Sequence, residues 1–150
     1  MSIYKEAGNS VILIFLCYSI SNLQSGPIHE AAEVGSLDGI KLHLDNGVDV
    51  NVKNSKSSTA LHIAVLNGYL EASKFLITQG AEINCEDKYG RTPLHMAAIG
   101  GHKKITVLLV DNGANINALT VSNKTPLDRA LESYNLETAD ELKSMGGKKI

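Results

Sequence analysis

The residues of this 150-residue chain that could carry chemistry are five histidines, two cysteines, a few adjacent carboxylates and the glycines. His29, His62 and His95 invite a metal reading first. Zinc ligands must all reach a common centre at about 2.0–2.3 Å. These three stand 33 residues apart, and equivalent positions of stacked helical units lie about 8–10 Å from one another. They therefore form a ladder, each histidine bonding loop backbone between units, and do not converge on an ion. His43 and His102 are isolated and read as surface or cap residues. Cys17 and Cys85 match no metal spacing and cannot make a disulfide framework. Glu86-Asp87 and Asp140-Glu141 are neighbours in sequence, so on a helix they would point to different sides; they read as solvated charge. No phosphate-binding glycine loop, G-x-S-x-G elbow or H-E-x-x-H pair occurs. Asn123-Lys124-Thr125 fits a glycosylation sequon but reads as the turn before a helix. The chain is expected to have no catalytic centre, no cofactor and no metal.

The elements that hold these residues are set by a period. Pro27, Ala60, Pro93 and Pro126 are each 33 apart, as are His29, His62, His95 and Asp128, and Ala31, Ala64, Ala97 and Ala130. Gly47, Gly80, Gly113 and Gly146 keep the same step, and so do Asn51, Asn84 and Asn117. The best-formed unit runs Asp87-Lys88-Tyr89-Gly90-Arg91-Thr92-Pro93-Leu94-His95-Met96-Ala97-Ala98. It resembles an ankyrin repeat with its T-P-L-H-x-A signature. The resemblance covers residues 26 to 147. It implies an all-α solenoid of about four 33-residue helix-turn-helix repeats joined by short hairpin-like loops. The expected repeats span about 25–53, 54–86, 87–119 and 120–150.

Local chemistry agrees with that plan. Thr92 is placed to cap a helix whose first residue is Pro93, where a missing N–H costs nothing. Leu94, Ala97 and Ala98 offer a small apolar face, and Ile105, Leu108 and Leu109 a stripe of helical period. Gly113 stands where a helix should end. The second unit has Ser57 in place of the turn glycine, and the fourth has Asn123 there and Asp128 in place of histidine. His43 near one end, and Glu141 and Lys143 near the other, make the terminal second helices more polar than the interior ones. That is the expectation for a self-contained stack with capped ends.

The bulk numbers narrow the class further. With 43% hydrophobic residues the chain can build one core, and a net charge of −2 supplies no field to recruit nucleic acid. Residues 1–24 lie outside the repeat register. Val11 to Tyr18 is an apolar run, too short to span a bilayer as a helix. It fits the core of a signal peptide, with Ser19-Ile20-Ser21 as a cleavage site, or a helix capping the open end of the stack. The reading leans towards export, with a cytoplasmic protein as the alternative.

The resemblance implies a non-catalytic protein–protein interaction module whose loop tips and first helices line a concave face. Carried onto this chain, that rule places Lys56, Lys88, Tyr89, Arg91 and Lys124 at the tips, and Leu66, Asn67 and Ile99 on the helices. Lys56, Lys88, Arg91 and Lys124 would form a basic row with Tyr89 near its centre. Val34, Leu66 and Ile99 would form an apolar strip beside it across three repeats. Tyr and Arg are types enriched in binding hot spots. The expected partner is a protein segment that is acidic and partly apolar, met by a monomer. An exported effector could use the same face. An enzyme or small-ligand protein would instead need a pocket with convergent polar groups.

Overall fold

A computed structural model describes residues 26–150. The apolar segment within residues 1–24, read above as a signal core or a capping helix, lies outside them. The described residues form eight helices and no strands: α1 Pro27–Glu33, α2 Leu37–Asp45, α3 Ala60–Leu66, α4 Leu70–Thr78, α5 Pro93–Gly100, α6 Lys103–Asp111, α7 Pro126–Glu132 and α8 Leu136–Ser144. They come in four antiparallel pairs. The first helices (α1, α3, α5, α7) stack on one another as an inner layer, and the second helices (α2, α4, α6, α8) stack as an outer one.

The small apolar residues explain the close stacking. Ala60, Ala64, Ala97, Ala98 and Ala130 are fully buried between inner helices. Leu61, Leu94 and Leu127 fill the space towards the outer layer, against Leu76, Leu109 and Leu142. One expectation shifts here. Ile105 and Leu109 are buried, but Leu108 is only half-buried, and Thr106 takes the interior place. Its hydroxyl is satisfied by donating to the His102 carbonyl at 3.1 Å, as Ser73 does to Tyr69 at 2.7 Å.

The two middle inner helices, α3 and α5, each begin with a Thr–His capping box. In α5 the Thr92 N–H donates to His95 Nδ1 at 3.1 Å, and in α3 the Thr59 N–H donates to His62 Nδ1 at 3.2 Å. A backbone N–H can only donate, so Nδ1 must be the acceptor and the proton must sit on Nε2. That Nε2–H then donates to the next repeat: His62 to the Arg91 carbonyl and His95 to the Lys124 carbonyl, both at 3.0 Å. His29 reaches the Val52 and Ser58 carbonyls at 3.0 Å, although Gly26 gives its Nδ1 no hydroxyl partner. In the fourth pair Asp128 replaces histidine. Its carboxylate accepts from the Thr125 N–H at 3.0 Å and, at a long 3.4 Å, from Ile150 N–H, while the Lys148 carbonyl lies 2.7 Å from the Thr125 hydroxyl. Residues 148–150 thus lie beside Thr125 and Asp128 as the tips at Arg91 and Lys124 lie beside His62 and His95.

Two further ladders bind the repeats. Asn51, Asn84 and Asn117 donate to the Gly80, Gly113 and Gly146 carbonyls at 3.1–3.3 Å. Their side-chain oxygens accept from Glu82, Asn115 and Lys148 N–H groups, all at 2.8 Å. The third ladder overturns the reading of His102 as an isolated surface residue. His102 Nε2 lies 2.9 Å from the Leu66 carbonyl, and Asn135 donates to Ala98 and Ile99 at 2.9 and 2.8 Å. These side chains press on Gly68 and Gly101, where an added Cβ would fall 2.5–2.6 Å from them and φ is positive. The same column holds Tyr134 in the fourth pair at φ 57°. No further described repeat packs on it, so a side chain fits there at the cost of backbone strain.

The end units are only partly polar. Asp140, Lys143 and Ser144 of α8 face solvent, and Glu141 pairs with Lys103 at 3.0 Å, so this carboxylate is an inter-helix partner. Leu42, Tyr134 and Leu136 are nonetheless well exposed.

Burial holds His29, His62 and His95 below the ordinary histidine pKa, against the raising effect of the backbone carbonyls they bond. A lowered folded pKa means the unfolded chain binds more protons between the two values. Stability is therefore full above about pH 6.5 and declines as pH falls below it, by at most about 1.4 kcal/mol per pH unit for each histidine. Urea unfolding between pH 7.5 and 5 should show this decline. The His62→Asn/His95→Asn double variant, starting from a lower stability, should show a shallower one.

Candidate partner-binding surface

The loop tips are built alike from unlike residues. Asn54, Asp87 and Thr120 each accept two backbone N–H bonds from residues two and four further on. Asn54 Oδ1 takes Lys56 and Ser58 at 2.9 and 3.0 Å, Asp87 Oδ1 takes Tyr89 and Arg91 at 2.8 and 2.9 Å, and Thr120 Oγ1 takes Ser122 and Lys124 at 3.3 and 3.2 Å. The turn needs one residue with positive φ, which Ser57 (58°), Gly90 (69°) and Asn123 (55°) all supply. Losing glycine in the second and fourth tips therefore leaves the turn intact. Successive tips are tied by Lys88 N–H to the Lys56 carbonyl and Val121 N–H to the Tyr89 carbonyl, both at 3.0 Å.

Between tips and inner helices lie two shallow clefts. One, of about 390 Å³, is lined by Lys56, Tyr89, Arg91, Ile99, Ser122 and Arg129, with Val121 at its edge. The other, of about 490 Å³, includes Glu33, Lys56, Ile63, Leu66, Asn67 and Arg91 in its walls. Six of the eight residues expected at the surface, Lys56, Leu66, Asn67, Tyr89, Arg91 and Ile99, thus line one or both clefts. Lys88 and Lys124 line neither. Ile63, Met96 and Arg129 do, and the helical rule could have found them as the register column 30, 63, 96, 129.

The apolar strip needs correction. Val34 is one residue out of register: its equivalents are Asn67 and Gly100, whereas Leu66 and Ile99 align with Glu33 and Glu132. Leu66 and Ile99 are half-buried and pack on the core, while Val34 is 71% exposed. The strip is therefore a pair of residues with a carboxylate in register at each end.

The basic row is also partly neutralised. Asp87, read from sequence as solvated, has a fully buried carboxylate that accepts from Arg91 Nε at 2.8 Å and pairs with Nη2 at 2.6 Å. Desolvation alone would raise its pKa. The bonds from Arg91 and the tip N–H groups outweigh that and hold it below the usual carboxylate value. Lys124 pairs with Glu132 at 2.9 Å, and Arg129 bonds the same carboxylate at 3.0 Å. Lys88 and Arg91 both lie against the Tyr89 ring, 4.9 and 4.6 Å from its centre, within cation–π range. Lys56 makes no ion pair among the described residues.

Among the described residues no three His, Cys, Asp or Glu side chains converge as metal ligands. Burial pushes the Cys85 thiol pKa up, the wrong direction for a nucleophile. No helix among the described residues is long and apolar enough to cross a membrane.

Because Arg91 answers a buried carboxylate, Arg91→Ala should destabilise the protein by roughly 1–3 kcal/mol, through an uncompensated Asp87. The Asp87→Asn/Arg91→Ala pair should recover part of that loss. Chemical denaturation of the two variants measures it, and equal destabilisation of both would contradict the coupling.

A family model described as ankyrin repeats, in three copies, matches residues 6–87, 28–120 and 74–150. Comparison with curated proteins returns no match. Ankyrin repeats generally serve as protein–protein interaction modules and are typically non-catalytic. With four stacked helix pairs, Thr-Ala-Leu-His and Thr-Pro-Leu-His caps that bond to the next repeat, and matches running from residue 6 to 150, this chain belongs to the ankyrin repeat family.

Proposed function

We propose that this protein is a non-catalytic binding module that receives a protein segment along the groove between its loop tips and inner helices. The observation that carries the reading is the pair of clefts, which share Lys56 and Arg91 and have Leu66 and Ile99 in their walls. An apolar side chain of the partner would seat over Leu66 and Ile99, and acidic groups would lie near Lys56 and Lys88, the two tip cations that pair with no carboxylate among the described residues. Tyr89 is 44% exposed and braced by two cations, a rigid amphipathic contact for the partner. The tips are bonded to one another before any partner arrives, so little ordering entropy opposes association. The module acts as a monomer. Its cations are too far offset by Asp87 and Glu132 to make a phosphate-tracking face for nucleic acid.

Partner capture by cross-linking, followed by affinity measurement, tests this reading. Tyr89→Ala and Ile99→Ser should each cost about 1–2 kcal/mol of affinity, mainly through faster dissociation. Lys124→Ala, already paired with Glu132, should cost little. Lys74 lies exposed on the outer helix α4 and bonds Glu71; its replacement by Ala should change nothing. A partner lost with Lys74→Ala but kept with Tyr89→Ala would show that the opposite face binds.

A further inference from the structure

The groove has unlike ends. The inner-helix column Glu30, Ile63, Met96, Arg129 repeats every 33 residues, and Ile63, Met96 and Arg129 all line the clefts. Stacking in register therefore places Glu30 on the same face. The column beside it reads Glu33, Leu66, Ile99, Glu132. Both columns are apolar in the two middle repeats and charged at the outer ones. At the first-repeat end stand two carboxylates, Glu30 and Glu33, and among the described residues neither pairs with a cation. At the fourth-repeat end Arg129 and Lys124 share a single carboxylate, Glu132, while Lys56 and Arg91 line both clefts and so stand between the ends.

A second observation marks the same two ends. Only three buried side-chain polar atoms among the described residues lack a hydrogen-bond partner, and two of them are Glu30 Oε1 and Arg129 Nε. A buried polar atom left unbonded costs about 1–3 kcal/mol, and here one acceptor and one donor occupy opposite ends of one register column. A ligand that brings a donor to the first and an acceptor to the second would recover both.

We propose that the groove takes an extended protein segment with a fixed order of charge: a cationic side chain beside Glu30 and Glu33, apolar side chains over Leu66 and Ile99, and an anionic side chain beside Arg129. The proposal rests on the binding role argued above and adds to it, because an acidic and apolar segment alone leaves the Glu30 end unanswered. The ends are separated by three helix-to-helix steps, about 24–30 Å. An extended chain rising about 3.3 Å per residue covers this in roughly eight or nine residues, which fixes the spacing of the two charges.

A library of random twelve-residue peptides displayed on phage, selected on the full chain, supplies the test. Clones are kept when Tyr89→Ala abolishes their binding, which confines the readout to this groove. The expected peptides carry Lys or Arg near one end and Asp or Glu near the other, always in the same direction along the chain. As synthetic peptides they should bind Glu30→Lys/Glu33→Lys and Arg129→Glu proteins at least tenfold more weakly, and Lys74→Glu protein unchanged. Exchanging the peptide's cation for Glu should restore binding to the Glu30→Lys/Glu33→Lys protein. Should that variant fail to fold, Glu30→Gln/Glu33→Gln gives the same comparison with a smaller loss. Groove-dependent peptides that are acidic throughout and indifferent to Glu30 and Glu33 would overturn the charge order while leaving the binding role intact. If no selected peptide depends on Tyr89, both fall.

Discussion

The hydrogen bond from a buried histidine to the backbone of the next repeat governs this structure. Thr59 and Thr92 fix the imidazoles of His62 and His95 in one tautomer, and the remaining N–H is delivered to Arg91 and Lys124 at 3.0 Å. Both carbonyls belong to residues that close a loop tip. The same bond therefore caps a helix, joins two repeats and sets where the next tip stands. An unbonded carbonyl or imidazole at these buried positions would cost more than the bond contributes when made, so the register of the tips is strongly specified.

The proposed binding face inherits that precision. Asn54, Asp87 and Thr120 shape the tips from within, and tip-to-tip backbone bonds pass from Lys56 to Lys88 and from Tyr89 to Val121. The cleft residues are thereby held on a backbone whose tips are already bonded to one another. The first and fourth described repeats depart from the middle two. Gly26 offers His29 no hydroxyl, Asp128 accepts from Ile150 N–H, and Tyr134 stands where the side chains of the next repeat press on Gly68 and Gly101.

Much of the architecture was legible in the sequence because it recurs. A column of identical residues, such as His29, His62 and His95 or Asn51, Asn84 and Asn117, announces a shared backbone role. The column Ser36, Tyr69, His102, Asn135 changes type at every step, so the ladder made by His102 and Asn135 could not be seen. The site was legible by position and less so by charge. Asp87 looked like one of two surface carboxylates, yet its place at the start of a tight tip buries it and turns it towards Arg91. Lys124 and Glu132 meet between a tip and a helix, a pairing that spacing does not reveal. Val34 is apolar and near a helix end like Leu66 and Ile99, but it lies one residue out of phase with them. Exposed apolar residues of the end units, Leu42 and Leu136 among them, show that capping here is only partly a matter of composition.

The central claim is that His62 and His95 are neutral, hold the proton on Nε2 and deliver it to the neighbouring repeat. Nitrogen-15 NMR of the imidazole rings, followed from pH 8 to pH 5, reads this directly. The account predicts two rings with Nε2 protonated and Nδ1 bare, slow exchange of the Nε2 proton with water, and no titration near the ordinary histidine value of about 6.5. Rings that average between tautomers, exchange rapidly and titrate near 6.5 while the protein remains folded would contradict it.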